Sequence, residues 1–420
     1  MKRLVRPIVF VVAVLGAAML PTAGLAANAF PPDPTCQTNG VVRAILYDNG
    51  IAYLGGNFTQ VAPAGATLGG AGTVTRNHLA ACSQATGAIL SWNPGANGQV
   101  FTLASQGNAI YVGGKFTTLA GVARNNLGEV GAAGVAKTWN PGANDTVYVL
   151  RFGPNGNIYA GGLFAKIGGA SRHRIAELNP TTGAPAAWNV NVGQVTGFAC
   201  PPRCPPVVYT IGFTGTASAA TVYFGGQFGL VNGTSRNTAA AVSAQTGALT
   251  AWNPNIYAAA NCPTCPTVET SRVYTLITNP ASGRVYTCGG YWKVNGTQQS
   301  FNVSAFNITT GTLDTSFNVQ DDGDTPGCTL RQGILYYGGH FNVSGPGCKP
   351  NALATCSTRH HVAAADVTTN QLLTWNPDAN SDHGVYTVSN GGTTVGFGGF
   401  FTKFGGKAQA SYAAYSSTLP

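Results

Sequence analysis

Apolar residues in this chain come in short bursts rather than in long periodic stretches. VFTL at Val100, VYTL at Val273, IYVGGKF from Ile110 to Phe116 and IYAGGLF from Ile158 to Phe164 are representative, each bounded by Gly, Asn, Asp or Pro. Such runs, rich in Val, Tyr, Phe and Thr and cut by turn formers, predict β-strands. Beyond residue 29 nothing sustains a 3.6-residue period, so no helix is expected.

One burst recurs with two glycines and an aromatic: GGNF at Gly55, GGKF at Gly113, GGLF at Gly161, GGQF at Gly225, GGYW at Gly289, GGHF at Gly338 and GGFF at Gly398. The intervals are 58, 48, 64, 64, 49 and 60 residues, a period that signals a solenoid or a propeller. Other landmarks keep a fixed order. A strand and a tight turn precede GGxF; an Arg-led strand follows, as in RNHLAAC at Arg76 or RHRIAEL at Arg172. Then come TG and WN, the latter at Trp92, Trp139, Trp188, Trp252 and Trp375, with Phe317 standing in once. Four short strands per unit predict an all-β fold, a seven-bladed β-propeller of four-stranded antiparallel blades whose radial closure protects the sheet edges. The glycine pair is expected where strands crowd toward an axis or a neighbouring blade. The seventh unit stops at SYAAYSSTLP from Ser411 without TG or WN, while AFPPDP from Ala29 stands directly ahead of the first strand, VVRAIL at Val41. The N-terminal strand is therefore expected to complete the last blade and close the ring.

Composition narrows the setting. Residues 1–29 have the charged start, the apolar stretch from Ile8 to Leu20 and the small residues around Ala26 to Ala29 of a signal peptide, leaving 30–420 as a single propeller domain. The apolar stretch is short of the roughly 20 residues a spanning helix needs, so no transmembrane segment is expected after cleavage. Charged residues make up 8% of the chain, against roughly 25% in ordinary domains. Without Lys2, Arg3 and Arg6, 19 basic residues face 13 acidic ones, too dilute for the basic stripe that nucleic acid requires. Ten cysteines in an exported chain predict disulfides. Cys200 is expected to pair with Cys204, Cys262 with Cys265 and Cys348 with Cys356; the partners of Cys36, Cys82, Cys288 and Cys328 are not legible. The protein is thus expected to be secreted or at the cell surface, as a monomer.

At these residues the sequence resembles the delta-60 repeat β-propellers: GTLDTSFN, from Gly311 to Asn318, matches that repeat's hallmark, and GGxF matches its glycine-aromatic strand. The YxGGxFT pattern also resembles the extracellular repeats of fungal cortical polarity markers. The resemblance implies a propeller in an extracytoplasmic setting and no particular chemistry. Most units depart from it by carrying TGxxxxWNP in place of GxLDxSFN. AVSAQTGALTAW, from Ala241 to Trp252, is similar to the tryptophan-docking stretch of quinoprotein dehydrogenase propellers, with Trp one residue later. That likeness implies shared architecture.

Candidate chemistry is sparse. Arg76, Arg124, Arg172, Arg236 and Arg359 each open a third strand, and 13 acids cannot pair them all; hydrogen bonds to loop carbonyls or stacking on aromatic rings are expected, and a basic ring for an anionic glycan is the alternative. Long loops after second strands (59–75 and 342–358) and long crossovers (189–206 and 254–271) fall on one face, which is the expected ligand face. The short cysteine pairs there are read as disulfides rather than zinc ligands. Asp321, Asp322 and Asp324 in QDDGDTPG offer hard oxygens for calcium without EF-hand spacing, so a solvated turn is the simpler reading and no cofactor is expected. Asp382 and His383 in the next crossover complete the tentative binding constellation. No nucleophile elbow, zinc-protease helix or phosphate loop is present. The expected function is non-enzymatic binding of an extracellular glycan, cell-wall polymer or protein; the alternative is a secreted hydrolase, lyase or quinone-dependent dehydrogenase with Asp321, Asp322, Asp382 and His383 near its centre.

Overall fold

The computed structural model describes residues 30–194, 205–257, 271–291, 293–294, 302–346, 348, 356–381, 383–416 and 419–420. The first 29 residues and Cys200, Cys204, Cys262 and Cys265 lie outside them. The described chain is all-β, with a single 3-10 turn at Pro280–Ser282 and no α-helix.

Each repeat folds into an antiparallel sheet. In the first, Val41–Asp48 pairs with Ile51–Asn57, which pairs with Leu79–Ser83. The same order recurs through the seventh, built from Val385–Asn390, Val395–Gly399 and Tyr412–Tyr415. Second strands are covered on both faces, so they read as continuous apolar runs; Ile158–Gly162 is buried throughout. No sheet closes on itself.

The four-stranded blade expected from sequence needs correction. Six of these sheets have three strands, and the sixth alone gains a fourth, Gln371–Leu372. Elsewhere the stretch after TG meets the third strand through one bridge, such as Cys82↔Ile89 or Val242↔Leu249, and a main-chain bond such as Leu90 N to Ala81 O. Pairing stops there because the following Trp leaves for the next sheet. Trp92 Nε1 donates to Gly131 O at 3.1 Å, and Trp139 Nε1 to Asn179 O at 3.0 Å. The N-terminal segment takes the corresponding place beside the seventh sheet, where Asp33 N donates to Ala414 O and Thr38 N to Ala410 O. Cys36 in this segment is bonded to Cys82 of the first sheet, Cys288 to Cys328 between the fifth and sixth sheets, and Cys348 to Cys356 as expected.

The glycine pair explains how sheets can sit so close. A Cβ on Gly55 would lie 2.6 Å from Val100 Cγ1 of the second sheet, and one on Gly161 2.7 Å from Val208 Cγ1 of the fourth. The seventh sheet meets the first in the same way, with a Cβ on Gly398 falling 2.8 Å from Val42 Cγ1. Among the described residues, buried side chains accordingly gather in seven clusters, each shared by two sheets, and one of them joins Tyr412 and Ala414 of the seventh to Val42 and Leu54 of the first. First strands pack side by side in chain order, and that of the seventh sheet also packs on that of the first.

A second repeated device follows GGxF. The residue two after each repeat arginine, such as His78, Asn126 or His361, is left-handed although it is not glycine. Its N–H donates to the motif's aromatic carbonyl and its carbonyl accepts from the second glycine, as in His78 N to Phe58 O and Gly56 N to His78 O. This pattern shifts the fifth motif by one residue. Gly289 N donates to Asn302 O and Asn302 N to Tyr291 O, so Cys288, Gly289, Gly290 and Tyr291 fill the four slots, rather than GGYW. Cys288 stands where the others have the first glycine, and its sulfur bonds the next sheet instead of making room for it.

Adding a methyl at such a contact overpacks it. Gly113→Ala, facing Thr102 and Val147, and Gly398→Ala, facing Val42, are each expected to lose about 1–3 kcal/mol in urea unfolding. Gly193→Ala, whose Cβ would meet nothing nearer than Leu230 at 3.8 Å, is expected to change stability by less than about 0.5 kcal/mol.

Candidate functional site

In six first strands the pairing register slips by one residue, leaving a β-bulge at Arg43, Phe101, Tyr148, Tyr209, Tyr274 and Tyr386. A bulge re-aims its side chain out of the normal alternation. The second glycine permits it: a Cβ on Gly114 would fall 2.1 Å from the Gln99 carbonyl oxygen, and one on Gly226 1.9 Å from that of Val207. Pro326, just ahead of Gly327–Arg331, takes this place in the sixth sheet.

These seven residues converge. With Thr275, Asp324, His340 and Thr387 they line a cavity of about 310 Å³. It adjoins a channel of about 710 Å³ lined by the first strands farther along. The register Val41↔Asn57 places the bulges at the end of the sheets where crossovers enter and second strands leave. Rings follow one another around the mouth, with centroids 4.8 Å apart for Phe101 and Tyr148, 5.1 Å for Tyr148 and Tyr209, and 5.2 Å for Tyr209 and Tyr274. Arg43 fills the interval between Tyr386, at 4.4 Å from its ring centroid, and Phe101, at 5.7 Å. All six are half-buried. Burial raises the phenols of Tyr148, Tyr209 and Tyr274 above their ordinary value, so their hydroxyls remain protonated at neutral pH, able to donate and to accept.

One sector of the mouth is charged. Arg272 Nε donates to Gln227 Oε1 at 2.9 Å and its Nη1 to the Tyr274 hydroxyl at 3.2 Å. Asp324 sits in a notch against Gly290, whose Cβ would lie 2.5 Å from its Oδ1. Burial raises the Asp324 carboxyl, opposed by His340 and Arg272, and lowers the His340 imidazole, opposed by Asp324. His340 also lies edge-on to Tyr386 at 5.5 Å.

The residues singled out from sequence separate here. Asp324 reaches the cavity. Asp321 is fully buried, accepting from Asn302 Nδ2 at 2.9 Å and Thr325 Oγ1 at 2.5 Å. Asp322 accepts from Asn342 N and Val343 N, the loop-fastening role that Asn39, Asn97, Asn144 and Asn380 fill elsewhere. The three carboxylates have three separate sets of contacts, and no group of three metal-ligating side chains occurs among the described residues. His383 is exposed beside Phe400, and Asp382 lies outside the described residues. The repeat arginines behave as the carbonyl reading expects: Arg76 donates to Thr75 O and Leu90 O, Arg172 to Ser171 O and Ala186 O, and Arg124, Arg236 and Arg359 to the equivalent pairs. The sequence reading passed over the bulge residues and His340, although an aromatic after Val in VFTL, VYTI and VYTL was a visible signal.

No protein-family model matches this chain, and no curated protein matches it. Among solved structures, the computationally designed Ika8 protein is similar at 13% identity and a TM-score of 0.47, over 92% of this chain and 100% of that one. The WD40 β-propeller domain of Doa1 is similar at 10% identity and a TM-score of 0.49, over 88% and 94% respectively.

Burial raises the Asp321 carboxyl well above its ordinary range, against the bonds from Thr325 and Asn302 and with Asp322 and Asp324 adding to the rise. The folded chain therefore holds this proton at pH values where the unfolded chain has lost it. The stability it contributes is full below the ordinary carboxyl range and is lost as pH rises through the raised folded value. Asp321→Asn removes that loss, so its urea midpoint relative to the unaltered chain is expected to climb between about pH 4 and pH 8. Parallel midpoints across that range would refute the assignment.

Proposed function

We propose that this chain is an exported seven-bladed β-propeller that binds, without transforming, a sugar unit of an extracellular glycan in the ring of bulge residues. Ring closure is supported by the Gly398–Val42 contact, the Asp33–Ala414 bond and the cluster shared by the seventh and first sheets. Disulfides among the described residues fit an oxidising compartment, and no described helix is long and apolar enough to cross a membrane. The ligand face in this reading is the one carrying the crossovers and second-strand loops.

The observation that carries the reading is the convergence of six bulge side chains, five of them aromatic, from six sheets on one cavity. Aromatic faces pack against the C–H faces of a pyranose, and phenol hydroxyls, Asp324 and His340 can satisfy its hydroxyls. A cavity of about 310 Å³ is at the small end of ligand sites, matching one sugar ring better than a protein surface. Asp324 beside His340 is what favours the enzymatic alternative, a secreted hydrolase or lyase. Glycoside hydrolysis by the common route needs two carboxylates flanking one bond, and among the described cavity residues Asp324 stands without a second.

A glycan array followed by calorimetric titration with the oligosaccharides it selects tests the proposal. Tyr209→Ala and Tyr148→Ala are each expected to weaken binding by about tenfold or more, with the glycan recovered uncut. Binding that survives both changes would remove the ring of bulge residues as the site, and cleavage that Asp324→Asn abolishes would favour the enzyme.

A further inference from the structure

Two arginines that line the axial cavities form no ion pair with a described residue. Arg43 belongs to the ring of bulge residues, and Arg151 lines the channel three residues farther along its strand than Tyr148, roughly 10 Å deeper at strand spacing. The repeat arginines each donate twice to carbonyls through their Nη atoms, whereas no hydrogen bond joins Arg43 or Arg151 to a described residue; a buried Nε without a partner is common to Arg43 and the repeat arginines. The two ion pairs among the described residues, Arg284 with Asp314 and His360 with Asp378, involve neither. Asp324, the carboxylate among the described lining residues of the cavity, lies in the Gly290 notch with Arg272 and His340 as its charged neighbours.

Stacking also orients Arg43. Its guanidinium carbon lies 4.4 Å from the Tyr386 ring centroid and 5.7 Å from that of Phe101, and its terminal Nη donors make no hydrogen bond to a described residue. A planar guanidinium suits a carboxylate, which its two terminal nitrogens can grip through two parallel hydrogen bonds. Lysine, a point charge on a flexible stem, does not reproduce that fork. A second positive charge deeper in the channel adds field of the same sign without competing for the same atoms.

We infer that Arg43 is an anion receptor within this site, and that the sugar unit it selects bears a carboxylate, as in a uronic acid. The inference rests on the glycan-binding reading above. The test titrates the full chain with oligosaccharides of glucuronate, galacturonate and mannuronate and with their methyl esters, which keep each ring and remove its charge. The acid is expected to bind about tenfold tighter than its ester or more. Arg43→Gln should level the two, and Arg43→Lys should recover only part of the preference. Equal binding of acid and ester to the unaltered chain, lost in Tyr209→Ala, would overturn the anion inference and leave the glycan reading standing. A preference that persists in Arg43→Gln would overturn the role of Arg43. Binding of none of these sugars would overturn the anion inference, and binding of an acidic peptide in place of any glycan would overturn both readings.

Discussion

A missing side chain is the constraint on which this architecture depends. Neighbouring sheets approach until a valine on one presses against the bare Cα of a glycine on the next, as Val100 does on Gly55 and Val147 on Gly113. Close-packed interiors tolerate neither an added methyl nor a void. The spacing set at this point therefore decides whether the aromatic side chains above it fit. Tyr53 and Trp92, with ring centroids 5.0 Å apart and nearly perpendicular, and Tyr111 with Trp139 at 5.1 Å depend on it. In the fifth sheet Cys288 fills the slot, and a covalent bond to Cys328 replaces the contact.

The neighbouring glycine serves a different end. By leaving space for a main-chain carbonyl it permits the bulge, and the bulge turns one side chain per sheet toward a common point. Geometry there comes from the backbone and not from the identity of the side chain it aims. Arg43, Phe101 and Tyr148 can thus occupy equivalent positions with quite different chemistry. The repeated motif performs no reaction; it supplies a rigid frame from which unlike groups can be presented, as a binding site on regular elements requires.

What could be read from the chain beforehand follows this division. Strands, glycine pairs, docking tryptophans and carbonyl-bound arginines recur, and recurrence is visible in a single sequence. Asp322 misled because its role is shared with asparagines at Asn39, Asn97 and Asn144, and the identity of the slot shows only once the loop bonds are seen. The fifth motif misled because Trp292 offered a better aromatic match than Tyr291, while the register is set by the bonds of Asn302. Neither the Cys36–Cys82 pairing nor the convergence of the bulge residues was legible, since each joins segments whose proximity is a property of the whole assembly.

Apart from Arg43 in the first unit, several departures from the repeat fall together. Cys288 for glycine, Gly290 at the variable position, Asp322 for asparagine and Pro326 for an aromatic all fall in the fifth and sixth units. They surround the sector where Arg272, Asp324 and His340 gather. Gly290 opens the notch that Asp324 occupies, and a side chain there would push the carboxylate out. Pro326 presents a smaller ring than tyrosine, leaving His340 access to the cavity from the sixth sheet. The disulfide between Cys288 and Cys328 spans the same junction, and cross-linking distant residues stabilises a fold by limiting its unfolded states. Polarity at the mouth and covalent reinforcement beneath it therefore coincide: the junction that gives up the regular glycine contact to seat charged groups is itself stitched together.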